Sequence, residues 1–342
     1  MAKVADKLPE VTSEQWLGVN EFNRNITEEF LRESTQLSPK TIKQYTSALR
    51  QFFFWIKENV DNKSILEIES LDYLKFQNSL IRREVSPSGV RFKRSAISSL
   101  NGYILLYYEK KYPTFKNFIS KKIANPPKAF VHAKEPLTLE EYKVLIEKLE
   151  SNPKKKNYLQ QLAYLKFSFA TGCRREEARL LLKEVVNYKL IEKEIEISNK
   201  QGVKEKKTGK YYLTHEIRCK GKGSVGKIRK IKFDENAMEA IKKWLEFRGE
   251  DDCPYVFVSK RNGQIKQVGE NTFNGWCKKI FEPIVGRRFH PHALRESRAT
   301  TMVVEEEMDI RVAQKLLGHE SSITTEIYII RNKEDESDEA FI

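Results

Sequence analysis

The sequence predicts a mainly α fold with a small antiparallel β-sheet (α+β), laid out as a helical N-terminal domain followed by a larger mixed domain. Three observations lead there. Apolar residues recur at helical spacing through most of the chain, while strand-like alternation is confined to residues 191–233. Between Tyr112 and Pro136 the periodicity stops and prolines and lysines accumulate. At 342 residues the chain is long enough for two hydrophobic cores, neither needing covalent staples.

In chain order, a short helix is expected starting at Ser13 or Thr27 and ending at Arg32. From Ser38 to Asn59 the set Ile42, Tyr45, Leu49, Phe52, Phe53 and Ile56 repeats at helical intervals. Ser38 is the N-cap and Pro39 takes the first helical position, where a missing N–H costs nothing. Helices follow over 71–82 and 90–109, with Ser86-Pro87-Ser88-Gly89 expected as the turn between them. Residues 113–135, with Lys121, Lys122 and Lys128 among prolines, read as an exposed basic linker. Thr138 then caps a helix, and another runs over 158–170. Strands are expected at 191–197, 211–219 and 227–233, assembled into one small sheet with the Gly221–Gly226 segment as its last turn. Helices resume over 235–248, 271–281, 291–306 and 309–317. This gives four segments: a helical domain over 1–112, the linker, a second domain over 136–330, and an acidic tail over 331–342.

Lysine and arginine outnumber the acids 62 to 48, a net charge of +14. That excess favours a polyanionic partner, nucleic acid first, because neutralising phosphates releases condensed counterions. The four cysteines form no C-x-x-C pair or disulfide framework and read as reduced core residues. The greasiest run, Tyr103 to Tyr108, is far too short to span a bilayer, and the first ten residues lack a leader's apolar stretch. A soluble, cytoplasmic protein without membrane partners is expected.

The residues that carry chemistry are scattered. His292-Ala293-Leu294-Arg295 precedes Leu317-Gly318-His319, and Tyr328 follows that histidine by nine residues. Upstream, Thr171-Gly172-Cys173-Arg174 supplies a second arginine, and Gly221-Lys222-Gly223 a lysine between glycines. Two guanidinium groups, an ammonium, two imidazoles and a phenol suit attack on a phosphodiester without metal. A guanidinium fork binds two non-bridging oxygens, and two forks offset the charge that grows on a pentacoordinate phosphorus. A phenol of pKa about 10 is ionised only about one part in a thousand at neutral pH, so a nucleophilic Tyr328 requires cationic neighbours or a base. Its plain alternative is core packing within the apolar run 323–330. Lys222 lies in a basic run, Lys200 to Lys232, holding 12 lysines and arginines against Glu205 and Glu216. A protonated amine there suits proton delivery to a departing 5′ oxygen, with Lys220 and Lys227 as rivals and simple backbone grip as the alternative. Lys220, Lys227 and Arg229 on the hairpin, with the linker lysines, are the candidate DNA contacts. Pro291 opens a helix that sets His292 and Arg295 on one face. Glu177, three residues beyond Arg174, is placed to hold that arginine or the next helix. His290 and His292 form an H-x-H pair without a third ligand, so no metal site and no cofactor is expected.

Taken as an ordered set, Thr171-Gly172-Cys173-Arg174-x-x-Glu177, Gly221-Lys222-Gly223, His292-x-x-Arg295, Leu317-Gly318-His319 and Tyr328 resemble the tyrosine recombinases, the phage-integrase family. Residues 38–110 resemble that family's helical core-binding domain. The resemblance implies a core-binding domain followed by a catalytic domain, and site-specific recombination, whether integration, excision or resolution. Tyr328 would form a 3′-phosphotyrosyl bond while Arg174 and Arg295 clamp the phosphate. Lys222 would be general acid to the 5′ hydroxyl, His292 a proton-handling partner and His319 a hydrogen-bonding stabiliser. Expected partners are double-stranded DNA with inverted-repeat sites and three further copies of the chain in a synaptic homo-tetramer, with an accessory directionality protein as a further candidate. Glu296-Ser297 stands where many members carry a histidine and a threonine, and an acid there predicts lowered or gated activity. The strand region between Asn199 and Tyr211 is lengthened. The alternatives are a sequence-specific DNA-binding regulator on the same fold and, behind it, a type IB topoisomerase.

Overall fold

The computed structural model describes residues 8–119, 122–126, 136–151, 157–198, 204–219 and 227–318. They form two compact units, one built from residues up to 126 and one from residue 136 onward.

The first unit contains α1 (Ser13–Leu17), α2 (Glu21–Glu33), α3 (Pro39–Asn59), α4 (Ser70–Arg82) and α5 (Pro87–Tyr107). Two helices replace the single one expected before residue 33. Thr12 and Gln15 close a capping box on α1, and the chain restarts at Asn20, whose side chain accepts from Asn23 N. Ser86-Pro87-Ser88-Gly89 is likewise no separate turn. Ser86 Oγ accepts from Gly89 N at 3.2 Å, so these residues are the cap and first turn of α5, the device also used at Ser38-Pro39. α3 runs through the core, with Leu49, Phe52, Phe53 and Ile56 fully buried. Phe52 meets the rings of Phe76 at 5.0 Å and Phe118 at 6.1 Å.

Phe118 belongs to the stretch expected as exposed linker, and there the expectation fails. Phe115, Phe118 and Ile119 are buried in this core. Ser70 Oγ donates to Phe118 O (2.8 Å), Arg94 to Ile123 O (2.8 Å) and Gln77 Nε2 to Ala124 O (2.9 Å). Its three apolar anchors and its backbone carbonyls dock the stretch, while Lys122 remains exposed.

The second unit opens with α6 (Leu139–Glu150), α7 (Tyr158–Thr171) and α8 (Arg175–Arg179). Strands β1 (Ile191–Ser198), β2 (Lys204–Leu213), β3 (Ile217–Cys219), β4 (Lys227–Arg229) and β5 (Lys232–Phe233) follow, then α9 (Glu235–Arg248). The hairpin β6 (Val258–Arg261) and β7 (Gln264–Gln267) leads to α10 (Thr272–Trp276), α11 (Glu282–Val285), α12 (Pro291–Thr300) and α13 (Ile310–Leu317). A π-helical turn at Cys277–Phe281 joins α10 to α11, and another at Thr301–Glu305 ends α12. α7 is apolar on nearly all sides and is the central helix of the unit, buried from Gln160 to Leu165 and again at Phe167, Ser168 and Phe169. Tyr164 stacks on Phe273 at 4.1 Å, and Gln160 Oε1 accepts from Val258 N at 2.7 Å.

Among the described residues the strands form three antiparallel sheets, β1-β2-β5, β3-β4 and β6-β7, where one sheet was expected. The expected strand 211–219 breaks at Thr214, whose N donates to Ile231 O (3.0 Å) and whose Oγ1 accepts from Ile231 N (2.9 Å). The β6-β7 hairpin was not anticipated. Its turn is Asn262-Gly263 with φ of 50° and 77°, the two-residue geometry that suits strand twist. The polar residues flanking it hid the alternation. Among the described residues no helix is long and apolar enough to cross a membrane.

Phe52→Ala is expected to destabilise the first unit by about 3–5 kcal/mol, because the neighbouring rings of Phe53, Phe76 and Phe118 cannot collapse into the space left. Denaturant unfolding followed by the near-ultraviolet signal checks this, and a loss under ~1 kcal/mol contradicts the packing.

Candidate active site

α7 stops at Gly172, whose backbone is left-handed at φ +56°. A Cβ there would lie 2.4 Å from Leu317 Cδ2, so conformation and space both require glycine. The chain then turns into α8, and Glu177 closes that helix's N-terminus. Its Oε2 accepts from Arg174 N at 2.9 Å and its Oε1 from the Arg174 guanidinium at 3.0 Å. One carboxylate thus holds both the arginine and the start of the helix.

Glu177 is almost completely buried, with 1% of its side chain exposed. Burial acts to raise its pKa, but the Arg229 charge at 2.7 Å, the Arg174 N–H and the Arg174 charge outweigh it and leave the carboxyl below its ordinary 4.5. Arg229 also donates through Nη1 to Leu316 O at 2.9 Å. Arg229, expected as a DNA contact, reaches the buried Glu177 carboxylate and Leu316 O near the end of α13, with 19% of its side chain exposed. A Cβ on Gly318, itself at φ +68°, would come within 2.6 Å of Arg229 Nη1.

Arg295 makes a second set of links. It is fully buried, donating from Nη1 to Gly172 O (2.7 Å) and from Nη2 to Leu317 O (2.8 Å). One guanidinium therefore ties α12 to the C-terminal ends of α7 and α13. Ser297 Oγ accepts from Leu137 N (2.6 Å) and donates to Ala293 O (2.7 Å), fastening the entrance of the unit to the same helix.

His292 and Arg295 do not share a face. Arg295 points into the core, whereas 46% of the His292 side chain is exposed, with Nε2 at 3.9 Å from Glu296 Oε1. Three residues leave side chains about 60° apart round a helix, enough to separate an inward face from its rim. His290 Nδ1 accepts from Ala293 N at 3.0 Å and so caps α12. Among the described residues no group of three metal-ligating side chains occurs. Burial pushes the Cys173 thiol up to about 11 and raises that of Cys277, so neither is a ready thiolate nucleophile.

Lys222, His319 and Tyr328, together with Lys220, Lys121 and Lys128, lie outside the described residues. Lys227 opens β4, its backbone paired with Cys219. The structure brings together Arg174, Glu177, Arg229 and Arg295 around the end of α13. Sequence reasoning missed the inward roles of Arg229 and Ser297, since neither has a local signature.

The sign of the Glu177 shift fixes a pH dependence. A carboxyl held below its ordinary value contributes stability that is present above about pH 4.5 and lost as pH falls through the depressed value. Glu177→Gln is therefore expected to unfold at a lower temperature than the parent at neutral pH. The gap should narrow as the pH is taken below about 4.5 in thermal scans, and a gap that is constant or widens there contradicts the assignment.

Residues 135–335 match the model of the phage integrase family, and residues 24–106 that of the phage integrase N-terminal SAM-like domain. The SPbeta prophage-derived recombinase-like protein YomM of Bacillus subtilis strain 168 is 32% identical over 343 residues, spanning 99% of this chain and 96% of that protein. A tyrosine recombinase XerC of Caldanaerobacter subterraneus subsp. tengcongensis is 29% identical, over 89% of this chain and 82% of its own. The XerH site-specific recombinase, solved in a post-cleavage complex with palindromic difH, shares the fold at a TM-score of 0.60, 18% identity and coverage of 100% and 99%. The chain belongs to the phage integrase family, the tyrosine recombinases, and is an enzyme that breaks and rejoins DNA.

Proposed function

We propose that this protein is a site-specific recombinase that exchanges DNA strands through a 3′-phosphotyrosyl intermediate at Tyr328. One observation carries the reading: Arg295 Nη1 reaches Gly172 O, two residues before Arg174, and its Nη2 reaches Leu317 O, two residues before His319. Three separated parts of the motif set are thereby tied to one guanidinium.

In this reading the Tyr328 phenol gives up its proton to the His292 imidazole as its oxygen attacks phosphorus. The bond from phosphorus to O5′ breaks, and the 5′ oxygen takes a proton from the Lys222 ammonium. Arg174, with 29% of its side chain exposed, supplies the accessible guanidinium for the non-bridging oxygens. Arg295 acts from a fixed buried position as the second cation, and His292, on the exposed rim of α12, handles protons. His319 donates a hydrogen bond to the phosphate. Three arginines against the Glu177 carboxylate leave a positive centre, which favours both a phenolate and the growing charge on phosphorus. The covalent bond conserves the phosphodiester energy, so rejoining needs neither nucleotide nor metal. We place the reaction in the cytoplasm, on duplex DNA with inverted repeats held by a homo-tetramer. The remaining exposed basic residues, among them Lys122, would contact the phosphate backbone.

The test is a nicked suicide substrate built from DNA flanking the gene and resolved on a denaturing gel. The parent should accumulate a protein–DNA adduct, Tyr328→Phe none, and Arg174→Ala should form it at least ~100-fold more slowly. An adduct formed by Tyr328→Phe overturns the assignment, and sequence-specific binding with no adduct favours the regulator.

A further inference from the structure

We infer that Arg229 is a positioning residue for cleavage, aligning the β3-β4 strands that flank Lys222 in sequence with the Arg174 turn and the end of α13. The inference rests on the proposed role of Lys222 as the proton donor.

Arg229 stands at the end of β4, two residues after the strand begins and seven after Lys222. Its Nη2 donates to Glu177 Oε2 at 2.7 Å and its Nη1 to Leu316 O at 2.9 Å. Glu177 in turn holds Arg174 through its N–H and its guanidinium. The Arg229 guanidinium thus joins three segments. These are the turn bearing one phosphate-binding arginine, the ladder β3-β4 whose strands flank Lys222 in sequence, and the α13 terminus that precedes His319 in sequence. Among the described residues the β3-β4 ladder has three register pairs and no third strand, and a two-stranded ribbon of that length is marginal by itself. A planar fork reaching a carboxylate and a carbonyl together sets orientation as well as distance, which a lysine ammonium does not. The close fit of Gly318, where any Cβ would strike Nη1, ties the α13 end to the same group.

The test compares Arg229→Lys and Arg229→Gln with the parent on two nicked substrates, one ordinary and one with sulfur replacing the bridging O5′ at the scissile phosphate. In both, the P–O bond to Tyr328 forms as the bond to the 5′ group breaks. The ordinary leaving group must take up a proton, whereas the electron pair on sulfur leaves as a stable thiolate without one. Both variants are expected to cleave the ordinary substrate ~10–100-fold more slowly, the size of a loss from misplacing a catalytic group by about an ångström. On the sulfur substrate they should return to within about threefold of the parent. Equal slowing on both substrates would mean a general structural defect and overturn the inference, as would parental rates on both. Lys222→Ala, run alongside, separates the two claims. Slow cleavage rescued by sulfur upholds Lys222 as acid, whereas slow cleavage without rescue overturns that reading and the Arg229 inference with it.

Discussion

A single buried guanidinium, that of Arg295, holds the catalytic unit's site together. Its two bonds run to the last carbonyls of two helices, Gly172 O and Leu317 O, groups that a helix end leaves without an intrahelical partner. Hydrogen bonds from a charged donor contribute about 1.5–3 kcal/mol each, while burying the charge costs several. A hydrocarbon of the same volume would pack there as well, so net stability is a weak reason for an arginine in the core. What a hydrocarbon cannot do is hold two carbonyls with donors fixed in one plane. That constraint places the α7 terminus, α12 and the α13 terminus in register, and the chain then enters the candidate chemistry from each of them.

A second arginine repeats the device at the edge. Arg229 binds the Glu177 carboxylate and Leu316 O, so consecutive carbonyls at the end of α13 go to different guanidinium groups. Gly172 and Gly318 complete the joint, both in the left-handed conformation and both pressed against a neighbour that leaves no room for a Cβ. Phosphoryl transfer depends on holding reacting groups to within a fraction of an ångström, and helix ends pinned by planar cations are a rigid means of doing so. Glu296 has its carboxylate 3.9 Å from His292 Nε2, one turn along the same helix. It adds a second carboxylate beside a centre in which three arginines face that of Glu177.

Much of the scaffold was legible because its signals are local. Ser38-Pro39 and Thr138-x-x-Glu141 are capping patterns that a few residues decide, and the structure uses both. The turn at Thr171-Gly172 and the brace from Glu177 to Arg174 follow equally from short spacing. What escaped depends on partners far along the chain. Nothing near Arg229 announces Glu177, 52 residues away, and nothing near Arg295 announces Gly172, 123 residues away. The docked stretch after α5 was hidden the same way, its lysines outweighing Phe115 and Phe118 in composition but not in burial. The Asn262-Gly263 turn was readable, and only the polar strands beside it obscured the hairpin.

The claim that Arg295 pins the end of α13 is tested most directly by amide hydrogen exchange on the full-length protein, comparing the parent with Arg295→Met. Residues 310–318 are predicted to lose at least ~10-fold in protection while α9 keeps its own, since the amides of α13 then open locally without the unit unfolding. Unchanged protection over residues 310–318 would contradict the account.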